Sequence, residues 1–134
     1  MKKIYFLKRT ILIHSLKLKS IGFILALIAM ISVQGWGQTT STWEGGNGNN
    51  IGIWNFANNW SSKAVPTAST NVIIPSGVTN YPAIATTGIC NSITINSGAS
   101  LTITSTGTLT VSGNWTNSGT FTANSGATVT FNGT

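Results

Sequence analysis

The residues best placed to do chemistry in this sequence are aromatic. Trp43, Trp54, Phe56 and Trp60 fall within 18 positions, beside the amide-rich run Gly-Gly-Asn-Gly-Asn-Asn at 45–50. Exposed indole faces flanked by amides are platforms for sugar rings, so Trp54 and Trp60 are candidates for glycan stacking. Trp115, in the stretch Ser-Gly-Asn-Trp-Thr-Asn-Ser-Gly at 112–119, reads as a loop residue and the better candidate for an exposed contact. A second reading applies to the first group. Tryptophan is heavily buried on average, and a repeat fold must hide the end of its core, so Trp43, Trp54 and Trp60 also read as a hydrophobic plug, which is the favoured reading.

Catalytic chemistry is excluded group by group. General acid–base work wants a pair of titratable groups, and beyond Gln38 the only charged residues are Glu44 and Lys63, of opposite sign and each without an evident second group. Glycoside hydrolysis uses two carboxylates, and residues 38–134 contain no Asp. Calcium and transition-metal sites need clustered carboxylates, His or Cys, and no such cluster is written here, so neither a metal nor another cofactor is expected. Ser and Thr are abundant, but a nucleophilic hydroxyl needs an adjacent base, and the one His is His14. Cys90 is the only cysteine, which excludes an internal disulfide and reads as a small buried apolar residue. The sequence predicts a protein that is not an enzyme.

The charge is just as uneven. Six of the seven basic residues (Lys2, Lys3, Lys8, Arg9, Lys17 and Lys19) stand in the first 20 positions, so the formal +6 belongs to one terminal segment. A nucleic-acid binder spreads basic side chains over its folded surface, and only Lys63 is left to do so. The basic segment leads into the apolar run Ile21 to Val33, whose 13 residues suit a secretion signal and are short for a bilayer span of about 20. Gly35 and Gly37 then provide the small residues for cleavage before Gln38. Residues 1–37 are read as a cleaved signal peptide, which makes the membrane a partner only during export; an uncleaved membrane anchor with Lys17 and Lys19 at its inner edge is the alternative. The remainder is expected outside the cell or on its outer surface.

Of the 97 residues that follow, 58 are Thr, Ser, Asn or Gly, and the apolar residues among them are regularly placed. Along 91–134 they alternate: Ile93 and Ile95, Leu101 and Ile103, Leu109 and Val111, Phe121 and Ala123, Val129 and Phe131, with Thr between. Period-2 alternation in short runs is the signature of half-buried strands. Glycines at 77, 88, 98, 107, 119 and 126 mark the corners between them. Above this spacing lies a longer one: Val-Ile-Ile-Pro-Ser-Gly at 72–77 returns as Ile-Thr-Ile-Asn-Ser-Gly at 93–98, and the run from Leu101 returns loosely from Phe121. A repeat near 20 residues with several short strands predicts an all-β fold, a right-handed parallel β-solenoid or β-helix; a β-sandwich is the alternative. The expected layout is a Trp-rich N-terminal cap at 38–70 and solenoid repeats at 71–134, with Ile93, Ile95, Leu101, Ile103, Leu109, Val111 and Val129 stacked as the core.

These features carry a family resemblance. The opening Trp43-Glu-Gly-Gly, the block Trp54-Asn-Phe-Ala-Asn-Asn-Trp60-Ser, Pro66, the segment Asn-Val-Ile-Ile-Pro-Ser-Gly at 71–77 and the repeat run from Ser92 to Phe121 resemble the N-terminal region of large secreted surface proteins of Bacteroidetes-type bacteria. The resemblance implies parallel β-helical repeats, export, and an adhesin-like or stalk-like role. Many such proteins carry a C-terminal sorting domain for type IX secretion, and none is read in residues 38–134. The last strand-turn unit, Val129 to Thr134, has no polar cap after it, so the chain is expected to be the opening of a longer repeat protein; a small complete protein whose last coil is blunted by Asn132, Gly133 and Thr134 is the alternative. Its expected partners are further repeats of the same polypeptide or surface glycans, the latter through Trp54, Trp60 and Trp115. A carbohydrate-binding module attached to a downstream hydrolase is the alternative. The pairs Thr102/Thr104, Thr108/Thr110, Thr120/Thr122 and Thr128/Thr130 would form rows if stacked, resembling the ice-binding faces of some Thr-x-Thr solenoids; strand propensity alone also explains them.

Overall fold

A computed structural model describes residues 37–46 and 49–133. The signal peptide read at 1–37 lies outside the described residues except for Gly37. Among the described residues no helix is long and apolar enough to cross a membrane. Gln38–Thr134 is one compact unit.

The unit is built from short strands: β1 (Thr39–Thr42), β2 (Thr70–Ile74), β3 (Ala83–Ile84), β4 (Thr87–Cys90), β5 (Ile93–Ile95), β6 (Ser100–Ile103), β7 (Thr108–Val111), β8 (Trp115–Asn117), β9 (Thr120–Ala123) and β10 (Thr128–Phe131). The one helical element among the described residues is a single 3-10 turn at Ala57–Asn59. The strands form three sheets, ordered β1-β2-β5-β8, β3-β6-β9 and β4-β7-β10, and every ladder in them is parallel. From β2 onward the chain visits the three sheets in turn, and each strand from β5 on lies beside the one three strands earlier. The two repeats in the sequence are strand pairs: Val72 stands against Ile93 and Leu101 against Phe121. The antiparallel ladders of a sandwich are absent from the named strands, and the one antiparallel contact is the isolated bridge Trp43–Trp60.

A single buried cluster draws on all three sheets: Val72, Ile74, Ile93 and Ile95 from the first, Ile84, Leu101 and Ile103 from the second, Cys90, Leu109 and Val111 from the third. Alternation does the sorting. In β6 the pattern runs Ser100 half-buried, Leu101 buried, Thr102 half-buried, Ile103 buried, as a pleat with one apolar face requires. Each aliphatic side chain fully removed from water contributes about 1.5–3 kcal/mol, so this inner column is the main source of stability. Val129, expected in the same stack, is only half-buried, because β10 pairs with β7 on one side and with no described strand on the other.

β1 lies inside the Trp-rich stretch at 38–70 and pairs in parallel with β2 over four residues, so that stretch is joined to the first repeat strand by a ladder. Not every corner glycine has a positive φ. Gly77, Gly98 and Gly126 do, at 79°, 80° and 92°. Gly107 does not: it sits where two chain levels touch, and a Cβ there would come within 2.1 Å of the Ile84 carbonyl oxygen.

Candidate functional site

The aromatic residues occupy the two ends of the inner column. At the first end Trp60 is held edge-on by Trp43 and by Trp54, with ring centroids 4.9 and 4.8 Å away and interplanar angles of 83° and 78°. The three are 0–1% exposed. This overturns Trp54 and Trp60 as stacking platforms for a sugar: their faces are spent on one another, the edge-to-face geometry that aromatic quadrupoles favour. The indole nitrogens reach backbone, Trp43 Nε1 donating to the Asn80 carbonyl at 2.7 Å and Trp60 Nε1 to the Trp54 carbonyl at 2.8 Å. Trp54 Nε1 is buried without a partner among the described residues.

Asn59 is the polar anchor of this end, and the sequence analysis passed over it. Fully buried, it uses Nδ2 to donate to the carbonyls of Asn50 and Ile53, both at 2.8 Å, tying the loop before Trp54 to the 3-10 turn. Its neighbour Gly46, at φ 59°, leaves no room for a side chain beside the Asn59 amide. The signal was weak, one Asn among many.

At the other end Trp115 is not a loop residue. It opens β8 and pairs with Ile93, which places it in the column of Val72 and Ile93. Flanking Asn, Ser and Gly disguised a three-residue strand. Its ring meets Phe121 of β9 at 4.9 Å and Phe131 of β10 at 5.7 Å, both edge-on, so each of the last three strands contributes one aromatic ring. Trp115 and Phe121 are half-buried, whereas Phe131 is 60% exposed. The structure therefore does not bring the three predicted tryptophans together, and of them Trp115 alone keeps any surface.

The titratable groups are disposed as follows. Glu44 and Lys63 form an ion pair at the surface, a partnership the sequence signalled only by being its two opposite charges after Gln38. Cys90 is buried in the core, and burial pushes its thiol from the ordinary 9.0 up to about 12, so no thiolate forms at neutral pH. Among the described residues no group of His, Cys, Asp or Glu is clustered enough to hold a metal ion.

The threonine rows are sorted by register. On the sheet β4-β7-β10, Thr87, Thr108 and Thr128 form one outward column and Ile89, Thr110 and Thr130 the next. On β3-β6-β9 the corresponding columns are interrupted: Thr102 lies between Ala83 and Thr122, and Thr120 follows Ser100. On the first sheet Thr94 lies between Ile73 and Thr116, beside an amide chain in which Asn91 donates to Asn71 and Asn71 to Gln38.

Comparison with known proteins gives one match. No curated protein and no solved structure matches the chain. A family model described as a domain of unknown function (DUF8693) matches residues 42–132, from the last residue of β1 to just beyond β10, and the chain therefore belongs to the DUF8693 family.

Proposed function

We propose that this chain is an exported, non-catalytic segment of a bacterial cell-surface or secreted repeat protein, with a structural or adhesin-like role. Its strands are wound as a right-handed parallel β-solenoid. The observation that carries this reading is the uninterrupted parallel pairing of each strand with the one three elements on, in register from β2 to β10. Right-handedness follows from the twist of strands, which makes parallel crossovers right-handed in about 98% of cases. The non-catalytic part is supported by the state of the reactive groups: among the described residues the one side-chain carboxylate, Glu44, is paired with the one ammonium, Lys63, and the one thiol, Cys90, is shut in the core.

On this reading the segment acts through length and surface, and its partners are further repeats of the same polypeptide or surface glycans. The test is an immunoblot of medium, outer-surface and cytosolic fractions with an antibody raised against residues 99–134, combined with protease shaving of intact cells. Signal in the medium, or surface signal removed by shaving, is expected. Retention of the whole signal in the cytosol would overturn the proposal.

A further inference from the structure

The sheet β4-β7-β10 has an outer face unlike those of the other two sheets. Its six outward positions, Thr87 and Ile89, Thr108 and Thr110, Thr128 and Thr130, are all β-branched, and they stand in two complete columns because both ladders hold register over four consecutive residues. Neighbouring strands lie about 4.8 Å apart and alternate residues about 6.6 Å along the strand, so the face is a two-dimensional grid. β-Branched side chains have few χ1 rotamers, which fixes where each methyl and hydroxyl stands. Thr110, at the middle of the grid, is half-buried by its neighbours, and the other five are exposed. Thr108 Oγ1 donates to the Thr86 carbonyl at 3.4 Å, which uses its proton and leaves it an acceptor. The face is also free of charge, since no Lys, Arg, Asp, Glu or His occurs after Lys63.

We infer that this face binds the surface of ice. A rigid grid that repeats in both directions is matched by a ligand that does the same, and an uncharged grid of hydroxyls and methyls by one that is uncharged and offers donors and acceptors at every lattice point. Ice meets both conditions. The hydroxyls offer hydrogen bonds to lattice water and the methyls fill the space between them, at positions that the few χ1 rotamers fix. An isolated sugar or peptide would engage one or two positions and would gain nothing from the repetition.

The experiment uses the full chain, purified in whatever processed form accumulates, in a slowly growing ice hemisphere and in single-crystal growth below the melting point. The unmodified protein is expected to be enriched in the ice fraction and to facet growing crystals. Thr110→Lys, which places a charge at the centre of the grid, is expected to abolish both effects, and Thr94→Lys on the first sheet to leave them unchanged. Thr130→Lys on the outermost strand repeats the test should Thr110→Lys fail to fold, as judged by circular dichroism. The proposal is overturned by exclusion of the unmodified protein from ice, by full activity of a folded Thr110→Lys or Thr130→Lys variant, or by equal loss in Thr94→Lys.

Discussion

Trp60 has no exposed surface and sits between two edge-on indoles, so its removal opens a void that its neighbours, Trp43 held by its bond to the Asn80 carbonyl and Trp54 by its buried packing, cannot fill. Trp60→Ala is expected to cost about 3–5 kcal/mol, and Trp115→Ala clearly less because Trp115 is already half in water; urea unfolding of the two variants checks the order. Cys90 sets a pH dependence. Its folded pKa is raised, so the unfolded chain ionises first: the stabilisation is complete below about pH 9 and is lost as the pH climbs towards about 12, by about 1.4 kcal/mol per unit. Alkaline unfolding curves should show this slope, and Cys90→Ala should remove it. Much at this scale was legible in the sequence. The burial of Trp54 and Trp60 follows from side-chain size, and that of Cys90 from its character as a small apolar group. Trp115 was misread because residue type says how much a side chain wants cover, whereas its place in the column above Ile93 is a matter of register.

Among the elements, the corners separate two uses of glycine. At Gly77 the backbone has φ 79° with nothing within 4 Å of an added Cβ, so Gly77→Ala carries only the strain of a left-handed residue, about 1–2 kcal/mol. At Gly107 the obstacle is the Ile84 carbonyl, backbone that cannot swing aside, so Gly107→Ala should lower the melting temperature by more than Gly77→Ala does, and thermal scans of the pair decide it. Only the first use is visible in a sequence, as Ser-Gly after an apolar run; the second depends on which chain level passes beneath. Strands were legible where alternation ran long enough to count, as in β6, β7, β9 and β10. The two residues of β3 carry no period at all, and they form a strand because β6 offers an edge in register.

At the scale of the unit Gln38–Thr134, the buried cluster has unequal ends. Trp43, Trp54 and Trp60 close one, whereas Phe131 leaves the other partly open, and among the described residues no strand pairs with the outer edges of β8, β9 and β10. Such edges with an apolar ring beside them favour association between copies. Phe131→Glu is expected to reduce concentration-dependent self-association, as read by sedimentation velocity, with little change in stability. The repeat length and the all-β character were readable from the chain because each level must return to its own register. The joining of β1 to β2 was not, since the Trp-rich stretch between them breaks the period: Thr39 pairs with Thr70, a longer excursion than any later one. The ladders also have a mechanical side. Each strand from β5 to β7 is bonded only to the levels before and after it, so tension on the chain ends opens one level and then the next, the load never being shared across all ladders together. Each level of roughly 20 residues releases about 65–70 Å of slack, and optical-tweezer traces should show evenly spaced low-force steps, a single large rupture counting against this picture. A segment paired in this way yields to a tug by paying out chain in small increments, and it can take them up again when the pull relents.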